Sequence, residues 1–146
     1  MNFQKISLFF LRVFLGGLFF YAGITKVLDP SWTAAGYLKG AKTFSGMFQW
    51  LASPDMISLT NFLNEWGLTL LGISLILGIG VRLVAPLGAV MMLLYYFPVL
   101  QFPYVGEHSY LVDEHIVYAA ALFVLAATNA GGIWGLGKRI PFIKRF

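Results

Sequence analysis

Four long apolar stretches, at about residues 6–28, 62–80, 83–100 and 116–132, are separated by polar connections along this chain. Each is about long enough for a helix to cross roughly 30 Å of hydrocarbon at about 1.5 Å per residue. In lipid every backbone N–H and C=O must be paired within the protein, so four consecutive spans predict an all-α integral membrane fold. Two short connections make neighbouring spans antiparallel, giving a four-helix bundle and a single domain over residues 1–146. The first stretch closes on Leu28-Asp29-Pro30, a helix stop. It is too long for a typical signal-peptide core and lacks a small-x-small cleavage site, so it is expected to be a retained helix. The connection at about 31–61 is long but carries Trp32, Tyr37, Phe44, Phe48 and Trp50. Such residues favour the membrane–water boundary, which predicts one or two short interfacial helices between the first and second spans.

Composition agrees with that pattern. The chain is 59% hydrophobic and 11% charged, with mean hydropathy +0.79, too apolar to cover a soluble domain of this length. The charges also sort by sign. With the N-terminus inside, Asp29, Asp55, Glu65, Glu107, Asp113 and Glu114 all fall at or near the outer side. Lys5, Arg82, Lys138, Arg139, Lys144 and Arg145 fall at the inner side. Lysine and arginine resist translocation, so both termini are expected in the cytoplasm of a multi-pass protein. The net charge of +4 sits in short loops and the tail, and nucleic acid is not an expected partner. Cysteine is absent, which excludes disulfides, thiolate metal sites and an iron–sulfur cluster held by this chain.

Candidate chemistry lies in the polar residues of the spans, each of which calls for a partner. Arg12, Gly16, Phe19, Gly23 and Lys26 step by four and three, so they share one helical stripe. Glu65, Thr69 and Gly72 share another, which predicts a Lys26–Glu65 ion pair near the outer end. Glu114 and Tyr118 lie on one stripe of the fourth span and His115 on the next. Lys26, Glu65, Tyr118, His115, Glu114 and Arg12 are therefore the ligand-binding candidates, with Trp32, Trp50 and Trp66 as a lid over an outer pocket. Bundle glue, helix capping and interfacial anchoring are the competing roles for these residues. A buried bis-histidine haem is not expected, because His108 is in a loop and His115 at a helix end. His108, Asp113, Glu114 and His115 match no metal-ligand spacing, and no metal is expected.

The run from Arg12 through Gly16, Gly17, Tyr21, Gly23 and Lys26 to Asp29-Pro30 resembles the opening of DoxX/DoxD-like membrane proteins. The second span from Glu65 to Gly78 with Arg82, and Asp113-Glu114-His115 followed by Ala130-Gly131-Gly132, resemble the same family in order and spacing. Asp29-Pro30-Ser31-Trp32 is similar to its DoxD side. Gly137 departs from the pattern, where relatives often carry an aspartate. The resemblance implies a subunit of the prokaryotic cytoplasmic membrane, linked in DoxD-like chains to thiosulfate:quinone oxidoreductase alongside a DoxA-like part. The reading it supports is a membrane subunit of a quinone-linked redox complex that binds a quinone or similar lipid. No redox centre is evident in this chain, so electrons would come from a DoxA-like or other redox partner. The bilayer and further copies of the chain are the other expected associates. The rival reading is a non-catalytic assembly factor or scaffold; a small transporter ranks behind both.

Overall fold

In the computed structural model, residues 2–139 are described, with side chains through Gly137. The expected inner charges Lys144 and Arg145 lie outside the described residues, as do the side chains of Lys138 and Arg139. Four long helices dominate: α1 (Phe3–Val27), α4 (Ile57–Leu77), α5 (Val81–Val99) and α6 (Glu114–Ala127). Two short helices, α2 (Ala35–Lys39) and α3 (Ser45–Leu51), fill the long connection, as its aromatic content predicts. Of the four long helices, α1 and α5 are long and apolar enough to cross a membrane.

Two boundaries differ from the hydropathy reading. Helix α4 begins five residues before the apolar run, because Ser58, Thr60 and Asn61 are polar yet helical. Helix α6 is shorter than its apolar stretch. Asp113 caps its N-terminus, and Thr128 closes it before Asn129 turns left-handed at φ 47°. The rest of that stretch forms a 3-10 turn at Ala130–Gly132. With 14 residues, α6 is about 21 Å long at the usual helical rise.

Helix α1 packs on α4 and α5 on α6, while α1 meets α6 along a sparse seam. Glycines set the α1–α4 approach. A Cβ at Gly16 would lie 2.9 Å from the Ile76 backbone N, and one at Gly72 2.5 Å from Phe20 Cα. A Cβ at Gly23 would fall on Thr69, 2.8 Å from its Cα. Between helices in lipid, such close backbone contact replaces the hydrophobic drive of a soluble core. Phe19, Leu75, Leu122 and Leu125 are fully buried between the helices. A second, smaller core under α2 and α3 gathers Leu38, Phe48 and Ala52 against Trp32 and Ile57.

Between α5 and α6 the chain forms a small antiparallel meander, β1 (Leu100–Gln101), β2 (Tyr104–Val105) and β3 (Ser109–Tyr110). The outer surfaces of the long helices are apolar: Phe14, Tyr21, Leu70, Leu87 and Phe123 are all at least half exposed. A soluble monomer rarely shows so large an apolar surface. With two span-length helices, it supports a membrane protein.

Candidate functional site

The α1 stripe that the sequence singles out faces protein. Arg12, Gly16, Phe19 and Gly23 are buried and Lys26 is half-buried. Its two cations serve different places. Arg12 is wholly buried at the end of the molecule that carries the tail. Nη1 donates to the carbonyls of Leu75 at 2.6 Å and Ile76 at 3.2 Å, and Nη2 to that of Ile133 at 3.1 Å. Leu75 and Ile76 are in the last turn of α4, so the guanidinium meets the negative end of a helix dipole. It also lies 5.6 Å from the Phe9 ring. Gly78 caps α4 at φ 70°, and a Cβ there would sit 2.5 Å from Arg12 Nη1. Arg12 therefore ties α1, α4 and the tail together, far from the other candidates.

Lys26 sits at the opposite end. Its Nζ donates to the Ala22 carbonyl at 2.9 Å and lies 5.4 Å from the Trp32 ring centroid. The expected Lys26–Glu65 ion pair is not formed; the salt bridges among the described residues involve only the two histidines. The contacts of Gly23 with Thr69 and Gly72 with Phe20 set a register that brings Glu65 level with Val27 instead. Lys26 lies one residue round the helix, toward α6. The tryptophan lid is also not assembled. Trp32 meets Lys26, whereas Trp50 and Trp66 are 57% and 41% exposed.

A cavity of about 300 Å³ opens near this end, lined by residues of α1, α4, α5 and α6. Lys26, Glu114, His115 and Tyr118 line it, joined by Phe19 and Leu68. Glu65 and Arg12 are not among its lining residues. Its volume lies at the lower bound of ordinary small-ligand pockets, roughly 300–1,000 Å³. Leu18, 40% exposed on the outer face of α1, is part of its wall.

Residues outside the set of ligand-binding candidates complete the site. Asp113 Oδ1 accepts from the backbone N–H of His115 at 3.0 Å and of Ile116 at 3.2 Å, capping α6. Its Oδ2 stands 2.6 Å from His115 Nδ1. One carboxylate thus starts the helix and fixes the imidazole. Tyr95, on α5, lies 5.8 Å ring to ring from His115 and donates its hydroxyl to Asn64 Oδ1 on α4. The Asn64 amide in turn donates to the Thr60 carbonyl at 2.8 Å. Tyr37, on α2, donates its hydroxyl to the Tyr95 carbonyl. Burial, then the nearby Asp113 charge, pushes the Tyr37 phenol up to about 12. Asn64 inside an apolar span was the visible signal; its link to Tyr95 exists only in three dimensions.

His108, the other histidine, is in the meander turn with a side chain 93% exposed. Among the described residues no three metal-binding side chains converge.

The DoxX family model matches residues 7–100, from α1 to the end of α5, so the α6 part of the cavity lies beyond the matched stretch. No curated protein and no solved structure matches the chain.

Proposed function

The chain belongs to the DoxX family, and from that premise we propose that it is a four-span membrane subunit of a quinone-linked redox complex. In this reading the cavity lined by α1, α4, α5 and α6 holds the ring of a quinone or similar lipid. The single observation that carries it is the content of that cavity. Apolar walls from Phe19, Leu68 and Met92 enclose hydrogen-bonding groups on Lys26, His115 and Tyr118. A ring with two polar oxygens and an apolar tail needs that combination. The sparse α1–α6 seam offers the tail a way out to the bilayer. No redox centre is needed in this chain if a partner subunit, DoxA-like or otherwise, supplies the electrons. A thiosulfate:quinone oxidoreductase of the DoxD kind is the specific complex this reading favours.

The test is binding of a short-chain benzoquinone to the purified protein. His115→Ala and Tyr118→Phe are expected to weaken it about ten-fold each, the scale of one lost hydrogen bond. Glu65→Gln is expected to leave it unchanged, since Glu65 lies outside the cavity. A scaffold or assembly factor is the second reading, favoured by Phe102, Tyr104 and Tyr110, which stand exposed on the meander. A reproducible co-purifying membrane protein, with no quinone in the lipid extract, would decide for it.

A further inference from the structure

The four long helices are fastened to one another unevenly. Helices α1 and α4 touch backbone to backbone at Gly16, Gly23 and Gly72. Backbone contacts cannot part by a change of rotamer, so these two helices move as one body. Helices α5 and α6 pack closely and form the second body. The α4–α5 side joins the bodies at both ends. At the tail end the turn Gly78-Ile79-Gly80 links them through the chain. At the other end the α2–α3 segment bridges them. Asn61 and Thr60 of α4 hold it through the Ala34 N–H and the Leu51 carbonyl, each at 3.0 Å. Its Lys42 N–H donates to the Pro98 carbonyl at 3.0 Å, and Thr43 Oγ1 to that of Leu100 at 2.6 Å. Tyr95 of α5 also donates to Asn64 of α4. The α1–α6 side is different. Among the described residues no hydrogen bond or salt bridge joins α1 to α6. At the tail end Arg12 Nη2 clasps α1 to the Ile133 carbonyl beyond α6, at 3.1 Å. Nearer the cavity, α1 and α6 meet at Phe19 and Tyr118, edge to face with ring centroids 5.9 Å apart. The cavity lies behind that pair. Both rings line it, and Leu18 carries its wall to the outer surface of α1.

We infer that the α1–α6 edge is a side gate from the bilayer into the cavity, with Phe19 and Tyr118 as its latch. Helices α1 and α4 swing together away from α5 and α6, turning on the α4–α5 side, while Arg12 holds the tail end shut. This rests on the reading of the cavity as the seat of a membrane-dissolved ring, and adds how the ring enters. One aromatic pair is a weak tie, and no hydrogen bond or ion pair between α1 and α6 has to break for it to part. The side chains uncovered along the edge are apolar, and acyl chains solvate such surface as well as protein does. Packed interfaces have discrete arrangements, so the edge is either shut or open. With the ring in the cavity, the apolar tail lies in the parted edge, and a bound molecule keeps the gate ajar.

The experiment measures distances between paired spin labels on the full chain in phosphatidylcholine nanodiscs. The chain has no cysteine of its own, so labels go only where cysteines are introduced. Tyr21→Cys with Val117→Cys spans the α1–α6 edge; Tyr21→Cys with Leu70→Cys lies within the α1–α4 body. All three positions are exposed, and none lines the cavity. Phe19→Leu keeps an apolar side chain and removes the latch ring. In Phe19→Leu without ligand, and in the unlatched-competent parent with decyl-benzoquinone, the edge pair is expected to shift to a longer distance. The within-body pair is expected to keep one distance throughout. Lengthening of the edge pair alone, in either case, supports the gate. No lengthening in either case, or lengthening of both pairs, overturns it. Quinone binding is followed separately by titration calorimetry. Binding with no lengthening in either protein overturns the gate and leaves the quinone site standing. Lengthening of the edge in Phe19→Leu, with no quinone bound by the parent, keeps the gate and overturns the quinone reading.

Discussion

Arg12 shows how a membrane helix carries a charge that has no carboxylate partner among the described residues. Its acceptors are three backbone carbonyls, two of them at the end of α4, where intrahelical partners run out. Removing the guanidinium leaves those carbonyls bare. Arg12→Gln is expected to lower stability in detergent melting by roughly 2–3 kcal/mol, the scale of a lost charged hydrogen bond. It should also free the tail: in this cysteine-free chain, a cysteine placed at Trp134 should react faster with a maleimide in the Arg12→Gln background. An unchanged rate would separate Arg12 from the tail. Lys26 and Glu65 make the opposite case. Because they do not pair, a double-mutant cycle of Lys26→Met and Glu65→Gln is expected to be additive within about 0.5 kcal/mol. Tyr37 contributes a pH dependence. Its folded-state value of about 12 stands above the unfolded value of 10.0. The stability it contributes is present in full below pH 10 and is lost as pH rises toward 12. Melting temperatures across that window should fall less steeply in Tyr37→Phe.

Elements meet here through the absence of side chains. Gly23 and Gly72 admit backbone atoms of the facing helix, so a methyl group at either collides with a part of α1 or α4 that cannot rotate away. Gly23→Ala and Gly72→Ala are each expected to cost roughly 1–3 kcal/mol by overpacking. Gly17 has open space around its position, and Gly17→Ala should be neutral or slightly stabilising. The glycine and charge pattern of α1 was legible in the sequence because a helix has a fixed period. So was the presence of short helices in the aromatic-rich connection. The Lys26–Glu65 pair was misread because shared depth does not fix which way around a helix a side chain points; one residue is about 100°. The meander escaped notice because strands of two residues have no alternation to detect. The Asp113–His115 pair was adjacent in sequence, but its meaning came from Tyr95 and Phe19 arriving from two other helices.

At the scale of the whole molecule the charges separate by end. Arg12, the α4–α5 turn and the tail gather at one end; Lys26, Asp113, Glu114 and the short helices gather at the other. If the first end faces the cytoplasm, cysteines replacing Lys42 and Arg82 should be labelled from opposite sides of sealed vesicles, Lys42 from outside. Labelling of both from one side would remove the four-span topology. The length of α6 has a consequence for the bilayer itself. At 14 residues it falls about 9 Å short of a typical hydrocarbon core of roughly 30 Å. In the four-span arrangement proposed above, lipids beside it would pucker inward while those beside α1, with 25 residues, would stay at full height. Such a dimple is steepest along the α1–α6 boundary, and it would bring headgroups and water down to Asp113. The protein would thus sculpt a thin patch of membrane around its own cavity mouth, where a ring leaves the acyl chains while its tail remains among them.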